Sequence, residues 1–201
     1  MFFYSFLVFI ILQRLCELVI AKRNEAWMKK QGAYEAGQSH YKWMVSMHAA
    51  FFAALFTEVY VLNDGMYHFS FLLFSFFVLV QLARIWAISS LGKYWNTKII
   101  VLPNAKVVLR GPYRFMKHPN YTVVAAELVL VPLMFQAYWT LAIFSVFNLC
   151  ILAVRIPLEE QALTNETNYG EVMQNRGRFF PVKNSYLKSE CRRSDQTYLR
   201  S

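Results

Sequence analysis

Long apolar runs alternate along this chain with short, strongly basic polar segments. The apolar runs cover residues 2–21, 43–62, 68–90, 121–135 and 137–154. A helix rises about 1.5 Å per residue, so some twenty residues cross a hydrocarbon core of roughly 30 Å. The pattern predicts an all-α integral membrane protein with five transmembrane helices. Asn63-Asp64-Gly65 signals a tight turn between the second and third runs. The fourth and fifth runs form a second hairpin that turns near Gln136. The fourth run is short, which predicts tilt, local bilayer thinning or a neighbour covering its end. No positive charge precedes the first run and Lys22-Arg23 follow it. That polarity is wrong for a cleaved leader and predicts a retained span.

Charge orients these spans. All but two of the 21 Lys and Arg fall in segments 22–42, 91–120 and from 155 onward, while the turns at 63–67 and 136 carry none. Basic loops mark the cytoplasmic side, so the N-terminus is expected outside and the C-terminus in the cytoplasm of a cell-membrane protein. Hydrophobic residues make up 57% of the chain, above the roughly 45–50% of soluble domains. The net charge of +9 would suit nucleic acid, but no basic stripe is interleaved with aromatics on a polar module, so membrane lipids are the expected partner. Cys16, Cys150 and Cys191 have neither metal-site nor disulfide-framework spacing, and no metal is expected. The organisation reads as a three-helix part over 1–90, a core over 91–183, and a polar tail over 184–201 expected to be disordered.

Charges inside apolar runs cost about 2.5–3.5 kcal/mol at a helix centre, so they should face the bundle interior or an interface. Arg14 and Glu17 share a helix face and are expected to pair. Glu58, near the outer end of its run, is expected at the interface. Glu127 lies nearly two turns beyond Tyr121 and is a candidate to line a substrate pocket or touch a cofactor. His48, about two turns into its run, is either a packing residue or a substrate contact.

Two polar clusters bracket the second hairpin: Lys117-His118-Pro119-Asn120-Tyr121 before it and Arg155-Ile156-Pro157-Leu158-Glu159-Glu160 after it. A hairpin returns the chain to the face it left, so an imidazole, a phenol, a guanidinium and two carboxylates should meet there. Each cluster alone has a plainer reading. Pro119 can open a helix. Pro157 is expected to stop the fifth span and start a new helix, with Glu159 and Glu160 in its first turn. Arg110-Gly111-Pro112-Tyr113-Arg114 precedes the pair as a rigid turn. Asn168-Tyr169-Gly170 follows as an expected glycine stop. Asn175-Arg176-Gly177-Arg178-Phe179-Phe180-Pro181 could then fold back as a lid.

This ordered set resembles the isoprenylcysteine carboxyl methyltransferase family, related to the phospholipid methyltransferases. The family's Arg-x-x-Arg/Lys-His-Pro-x-Tyr segment, helical hairpin, Arg-x-x-x-Glu-Glu segment, Tyr-Gly and Arg-Phe-x-Pro ending appear here as Arg114–Tyr121, Arg155–Glu160, Tyr169-Gly170 and Arg178–Pro181, all within about residues 90–183. Many members have Gly where this chain has Val123, whose bulk is expected to reshape the cofactor cleft. The resemblance implies a methyltransferase that uses S-adenosylmethionine without a soluble Rossmann domain. It implies that His118, Pro119, Asn120 and Tyr121 line the cofactor and that Glu159 holds its amino or ribose end. Arg155 would face the acceptor oxygen, and Arg178 and Phe179 would close the lid. Glu17, Asn24, Gly32, Glu35, Gly37, His40, Tyr41 and His48 resemble a bacterial branch similar to O-methyltransferases of alkylpyrones or alkylresorcinols that accompany type III polyketide synthases.

The implied acceptor is a lipophilic molecule from the bilayer with an oxygen nucleophile, met at the cytoplasmic face. A carboxylate or acidic enol is already anionic, so Arg155 need only orient it, and in-line alignment supplies the main catalytic effect. A phenol would need a base, for which His118 or Glu127 are the candidates. Two other classes remain open at this point. One is an NADPH-dependent sterol or enone reductase, which five spans argue against. The other is a non-enzymatic scaffold whose basic face attracts anionic lipids and whose Arg155, Glu159 and Glu160 are merely helix-end charges.

Overall fold

A computed structural model describes residues 2–180. Pro181, Cys191 and the polar tail lie outside the described residues. The first apolar run extends well past its last hydrophobic residue as α1, Phe2–Lys30, with Lys29 and Lys30 in the last turn, where cations suit the helix dipole. Helix α2, Gln38–Thr57, widens into one π turn over Glu58–Leu62. Helix α3, Phe71–Leu91, opens at Ser70, whose hydroxyl accepts the Leu73 N–H. Helices α4, Pro119–Met134, α5, Tyr138–Glu166, and α6, Tyr169–Met173, complete the helical set. Helices α1, α3, α5 and α2 with its π turn are long and apolar enough to cross a membrane. The expected fourth span, α4, is a shorter apolar helix of 16 residues, or about 24 Å.

Large apolar side chains point both ways. A core of Phe3, Phe6, Leu55, Phe77, Met134 and Phe135 fills the bundle, and Phe3 meets Phe135 edge-on at 4.8 Å between ring centres. Phe9, Leu12, Leu79, Ile85, Phe147 and Leu149 are exposed around the outside, a surface that only an apolar surround satisfies. The two turns that carry no Lys or Arg share one end of the bundle, where Asn63 Nδ2 donates to the Gln136 carbonyl at 3.3 Å and the His68 N–H donates to Gln136 Oε1 at 3.3 Å. The basic connections gather at the other end. There a two-stranded antiparallel ribbon, β1 (Tyr34–Ala36) and β2 (Ile99–Val101), ties the segment after α1 to the segment after α3. Three-residue strands are too short to show a period, so the sequence did not predict this ribbon.

Two expectations are corrected. Pro157 does not stop a helix: α5 runs through it to Glu166. Proline removes one backbone donor but keeps a helical φ, and the following Leu158-Glu159-Glu160-Gln161-Ala162-Leu163 are good helix formers. Glu159 therefore lies four residues beyond Arg155 on the same helix face. Gly170 does not end a helix either. It sits inside α6, where an added Cβ would come within 3.0 Å of Thr164 Cγ2. Glu58, one turn before Asn63, is 5% exposed. Its carboxylate accepts the N–H groups of Trp139 and Thr140 at 2.9 and 2.6 Å, satisfying the otherwise orphaned amides where α5 begins.

Arg14, Glu17, Arg84 and Glu127 converge on one cluster. Arg14 pairs with Glu17 at 2.8 Å as expected, and with Glu127 at 2.6 Å. Arg84 reaches Glu17 at 2.5 Å and Glu127 at 2.8 Å. Gln81 donates to Glu127 at 2.7 Å and receives a bond from Gln13 at 2.7 Å. Two guanidinium groups and two carboxylates neutralise one another across α1, α3 and α4, which removes most of the penalty each would meet alone.

Candidate active site

The chain enters the site through the 3₁₀ turn Gly111–Arg114. Gly111 has φ +55°, and a Cβ there would lie 2.0 Å from Ser90 Oγ and 2.9 Å from Trp86 Nε1. Glycine alone lets the turn press against the end of α3. Beyond the turn, Met116 bridges to Gly177. The Lys117 N–H donates to the Gly177 carbonyl at 2.9 Å, and the His118 N–H to the Arg178 carbonyl at 3.0 Å. Pro119 then opens α4, putting Asn120 and Tyr121 in its first turn.

Helix α5 returns antiparallel and delivers the second cluster. Tyr121 Oη donates to Glu159 Oε2. Arg155 Nε donates to Tyr121 Oη at 2.8 Å, and the guanidinium lies 5.7 Å from the ring centre. The other Arg155 nitrogens reach Met44 Sδ and the Thr97 carbonyl. The His118 ring stacks on Tyr121 at 5.3 Å. His118 Nε2 lies 3.1 Å from Glu160 Oε1; a carboxylate only accepts, so this nitrogen carries the proton. Arg178 pairs with the other Glu160 oxygen at 2.7 Å.

These groups close one end of a cavity of about 470 Å³, within the roughly 300–1,000 Å³ of small-molecule sites. His118, Asn120, Tyr121, Arg155 and Glu159 line the polar end, and Ile10, Phe51, Phe52, Phe77 and Leu128 line the apolar shaft. Ile11, Leu15 and Leu18 of α1 and Val45 of α2 line the same cavity and are also exposed. The shaft therefore opens sideways between α1 and α2 onto the apolar outer surface.

His48 and Glu127 also line the cavity, Glu127 as part of the ionic cluster. Pro119 and Arg178 are not among the lining residues. Pro119 starts the helix and Arg178, with its side chain half exposed, holds Glu160. Val123 is buried within α4 and is not among the residues that line the cavity. Several residues singled out in the first half fasten the segment after α3. Asn24 Nδ2 donates to the Trp95 and Gly92 carbonyls at 2.7 and 3.1 Å, Glu35 pairs with Lys98 at 3.1 Å, and Tyr41 Oη meets Thr97 Oγ1 at 3.4 Å. The sequence reading missed Asn148, a lining residue only 4% exposed. An amide in an apolar run was the signal, since it too is costly in hydrocarbon.

The polar end is prepared for a ligand. Asn120 Oδ1, on the cavity wall, is buried without a hydrogen-bond partner among the described residues, a state proteins seldom leave uncompensated. Burial pushes the Tyr113 phenol up, and the Glu159 charge pushes it the same way, so Tyr113 faces the cavity as a neutral hydroxyl. An amide acceptor, a half-buried carboxylate and stacked rings fit a cofactor that carries an ammonium, hydroxyls and a sulfonium cation.

Comparison with known proteins agrees with this constellation. The sequence profile described as the isoprenylcysteine carboxyl methyltransferase (ICMT) family matches residues 72–165, which include His118, Tyr121, Arg155 and Glu159. The chain is 45% identical over 161 residues to the uncharacterized protein YpbQ of Bacillus subtilis (strain 168), covering 80% of this chain and 96% of that one. It is 28% identical over 153 residues to an uncharacterized protein of Haemophilus influenzae, covering 76% of this chain and 89% of that one. Four membrane-length helices, a polar pocket built from a His-Pro-x-Tyr turn and an Arg-x-x-x-Glu-Glu helix, and the family match lead to one assignment: this multi-pass membrane protein belongs to the isoprenylcysteine carboxyl methyltransferase family.

Proposed function

We propose that this protein is an S-adenosylmethionine-dependent O-methyltransferase acting on a lipophilic acceptor held in the bilayer. The observation that carries this reading is the joining of the two clusters across one cavity: His118 on Glu160, Tyr121 on Glu159, and Arg155 on Tyr121. Asn120 and Glu159 would hold the polar groups of the methyl donor, with His118 and Tyr121 against it. Pro119 fixes the turn that presents them, and Arg178 holds Glu160 behind them. When bound, the donor supplies an electrophilic methyl on a sulfonium. The protein's own work is to place the acceptor oxygen in line with that methyl and to exclude water. The strip over residues 177–180 acts as the lid, joined to the site through main-chain bonds.

The acceptor enters between α1 and α2, its tail along the shaft and its polar head toward the Arg155 end. An alkylpyrone or alkylresorcinol has this shape, a polar ring on an aliphatic chain. The end that carries the basic connections faces the cytoplasm, source of the donor, and the end at Asn63 and Gln136 faces outward, with α4 as the fifth, short crossing of the cell membrane. Labelled methyl from S-adenosylmethionine, added to a lipid extract with purified protein, should appear in a lipid product identifiable by mass. Calorimetry should show S-adenosylhomocysteine binding the wild type and not His118→Ala or Glu159→Ala. Equal binding by all three would remove the site assignment.

A further inference from the structure

Two polar side chains in the apolar shaft take no part in the donor site. His48 Nδ1 lies 2.8 Å from the Met44 carbonyl one turn earlier. A carbonyl only accepts, so Nδ1 carries the proton and Nε2 keeps its lone pair. No other hydrogen bond to this ring is found among the described residues, and His48 lines the cavity. Asn148 on α5 is 4% exposed, lines the same cavity, and its carboxamide has no hydrogen-bond partner among the described residues. The two lie at one level. Helices α2 and α5 pack antiparallel, with Met44 against Arg155 and Phe51 against Phe144, so His48 and Asn148 fall between the same two contacts.

We propose that His48 and Asn148 form a seat for a neutral ring hydroxyl, with His48 Nε2 as its base and Asn148 binding a second oxygen on the ring. This rests on the methyltransferase reading above and narrows it to a phenol or enol bearing a neighbouring oxygen. Of the other candidate bases, His118 belongs to the donor site, its Nε2 donating to Glu160, and Glu127 is bonded to Arg14, Arg84 and Gln81. The charges facing His48, namely Arg14, Glu127 and Arg155, already have partners of their own. Arg14 holds Glu17 and Glu127, and Arg155 reaches Glu159 through Tyr121. Among the described residues these charged groups are hydrogen-bonded, whereas the imidazole lone pair of His48 is not.

Acidity then selects the acceptor. A carboxylate needs no base, and an aliphatic alcohol is far too weak an acid for imidazole, but a phenol near pKa ~10 is within reach. In the reaction the acceptor's O–CH₃ bond forms as the donor's S–CH₃ bond breaks. The O–H proton passes to His48 Nε2, and the sulfur leaves as a neutral thioether. His48 then releases its proton to solvent.

A long-chain alkyl nitrophenol reports its own ionisation by absorbance and needs no methyl donor. Mixed with the purified protein in detergent below the probe's solution pKa, it should turn to phenolate with wild type and stay protonated with His48→Gln. S-adenosylhomocysteine affinity, measured alongside, should be alike in the two proteins and so show that the variant is folded. Loss of methyl transfer to a 5-alkylresorcinol should be about 100-fold or more in His48→Gln. Asn148→Leu should weaken binding of a 5-alkylresorcinol roughly tenfold more than that of a 3-alkylphenol of equal chain length, the worth of one hydrogen bond. A probe that stays protonated on wild type, or ionises equally on both proteins, overturns the base. Equal weakening of the two ligands overturns Asn148. Failure of wild type to bind S-adenosylhomocysteine would defeat the methyltransferase reading instead, while the absorbance result would still decide on His48.

Discussion

The protein contains two buried assemblies of arginine and glutamate, and they differ in what they leave over. In the Arg14–Glu17–Arg84–Glu127 cluster every charged group meets a partner of opposite sign, with distances of 2.5–2.8 Å. Around Tyr121 the bonding is incomplete: Arg155 and Glu159 both lean on one phenol, and Asn120 Oδ1 beside them has no partner among the described residues. The first assembly is closed and holds helices together. The second is open and has bonds to give to a ligand. Charge within a membrane signals function by default, but saturation of the bonding, rather than charge itself, separates scaffold from site.

Five substitutions test that distinction. The largest effect is expected from Arg84→Met, which leaves two buried carboxylates sharing Arg14. It should cost about 3–5 kcal/mol, seen as a collapse of the thermal transition in detergent. Adding Glu17→Leu should restore most of that loss, because Arg14 and Glu127 then balance. A double variant no better than the single one would show that packing, not unpaired charge, was lost. Glu159→Gln should do the reverse, leaving the melting transition nearly in place while weakening S-adenosylhomocysteine by about 10- to 100-fold, as expected for charge-assisted bonds of roughly 1.5–3 kcal/mol. Gly111→Ala should destabilise by about 1–3 kcal/mol through its positive φ and its collision with Ser90, read as an earlier melt. Arg178→Ala should be the mildest. Its side chain is 52% exposed, so losing the Glu160 pair should change stability by less than about 1 kcal/mol. A larger drop would mean that Glu160 belongs to the closed class.

The site was more legible in the sequence than the scaffold around it. His118, Tyr121, Arg155 and Glu159 flank one hairpin, and a hairpin imposes proximity without further information. The Arg14–Glu17 pair was legible for the same reason, being local to one helix face. Arg84 and Glu127 joining it was not, because those contacts span 67 and 113 residues and depend on how α1, α3 and α4 are rotated. The partners of Glu58 were not legible because they are backbone amides of α5 rather than side chains, and a sequence does not display orphaned N–H groups. Pro157 misled because its intrinsic preference against helix interiors was weighed without the strong helix formers on its C-terminal side. Asn148 was overlooked because the cost of polarity in hydrocarbon was applied to charges and not to amides.

The main-chain bonds from Lys117 and His118 to Gly177 and Arg178 have a practical consequence for anyone handling this protein. A deletion that removes residues 177–178 would strip two carbonyl acceptors from the stretch leading into α4, so an inactive truncation would say little about the deleted side chains. Purification handles belong beyond residue 180, with a spacer, and a proteolytic nick just ahead of Gly177 should silence donor binding while the helical bundle survives.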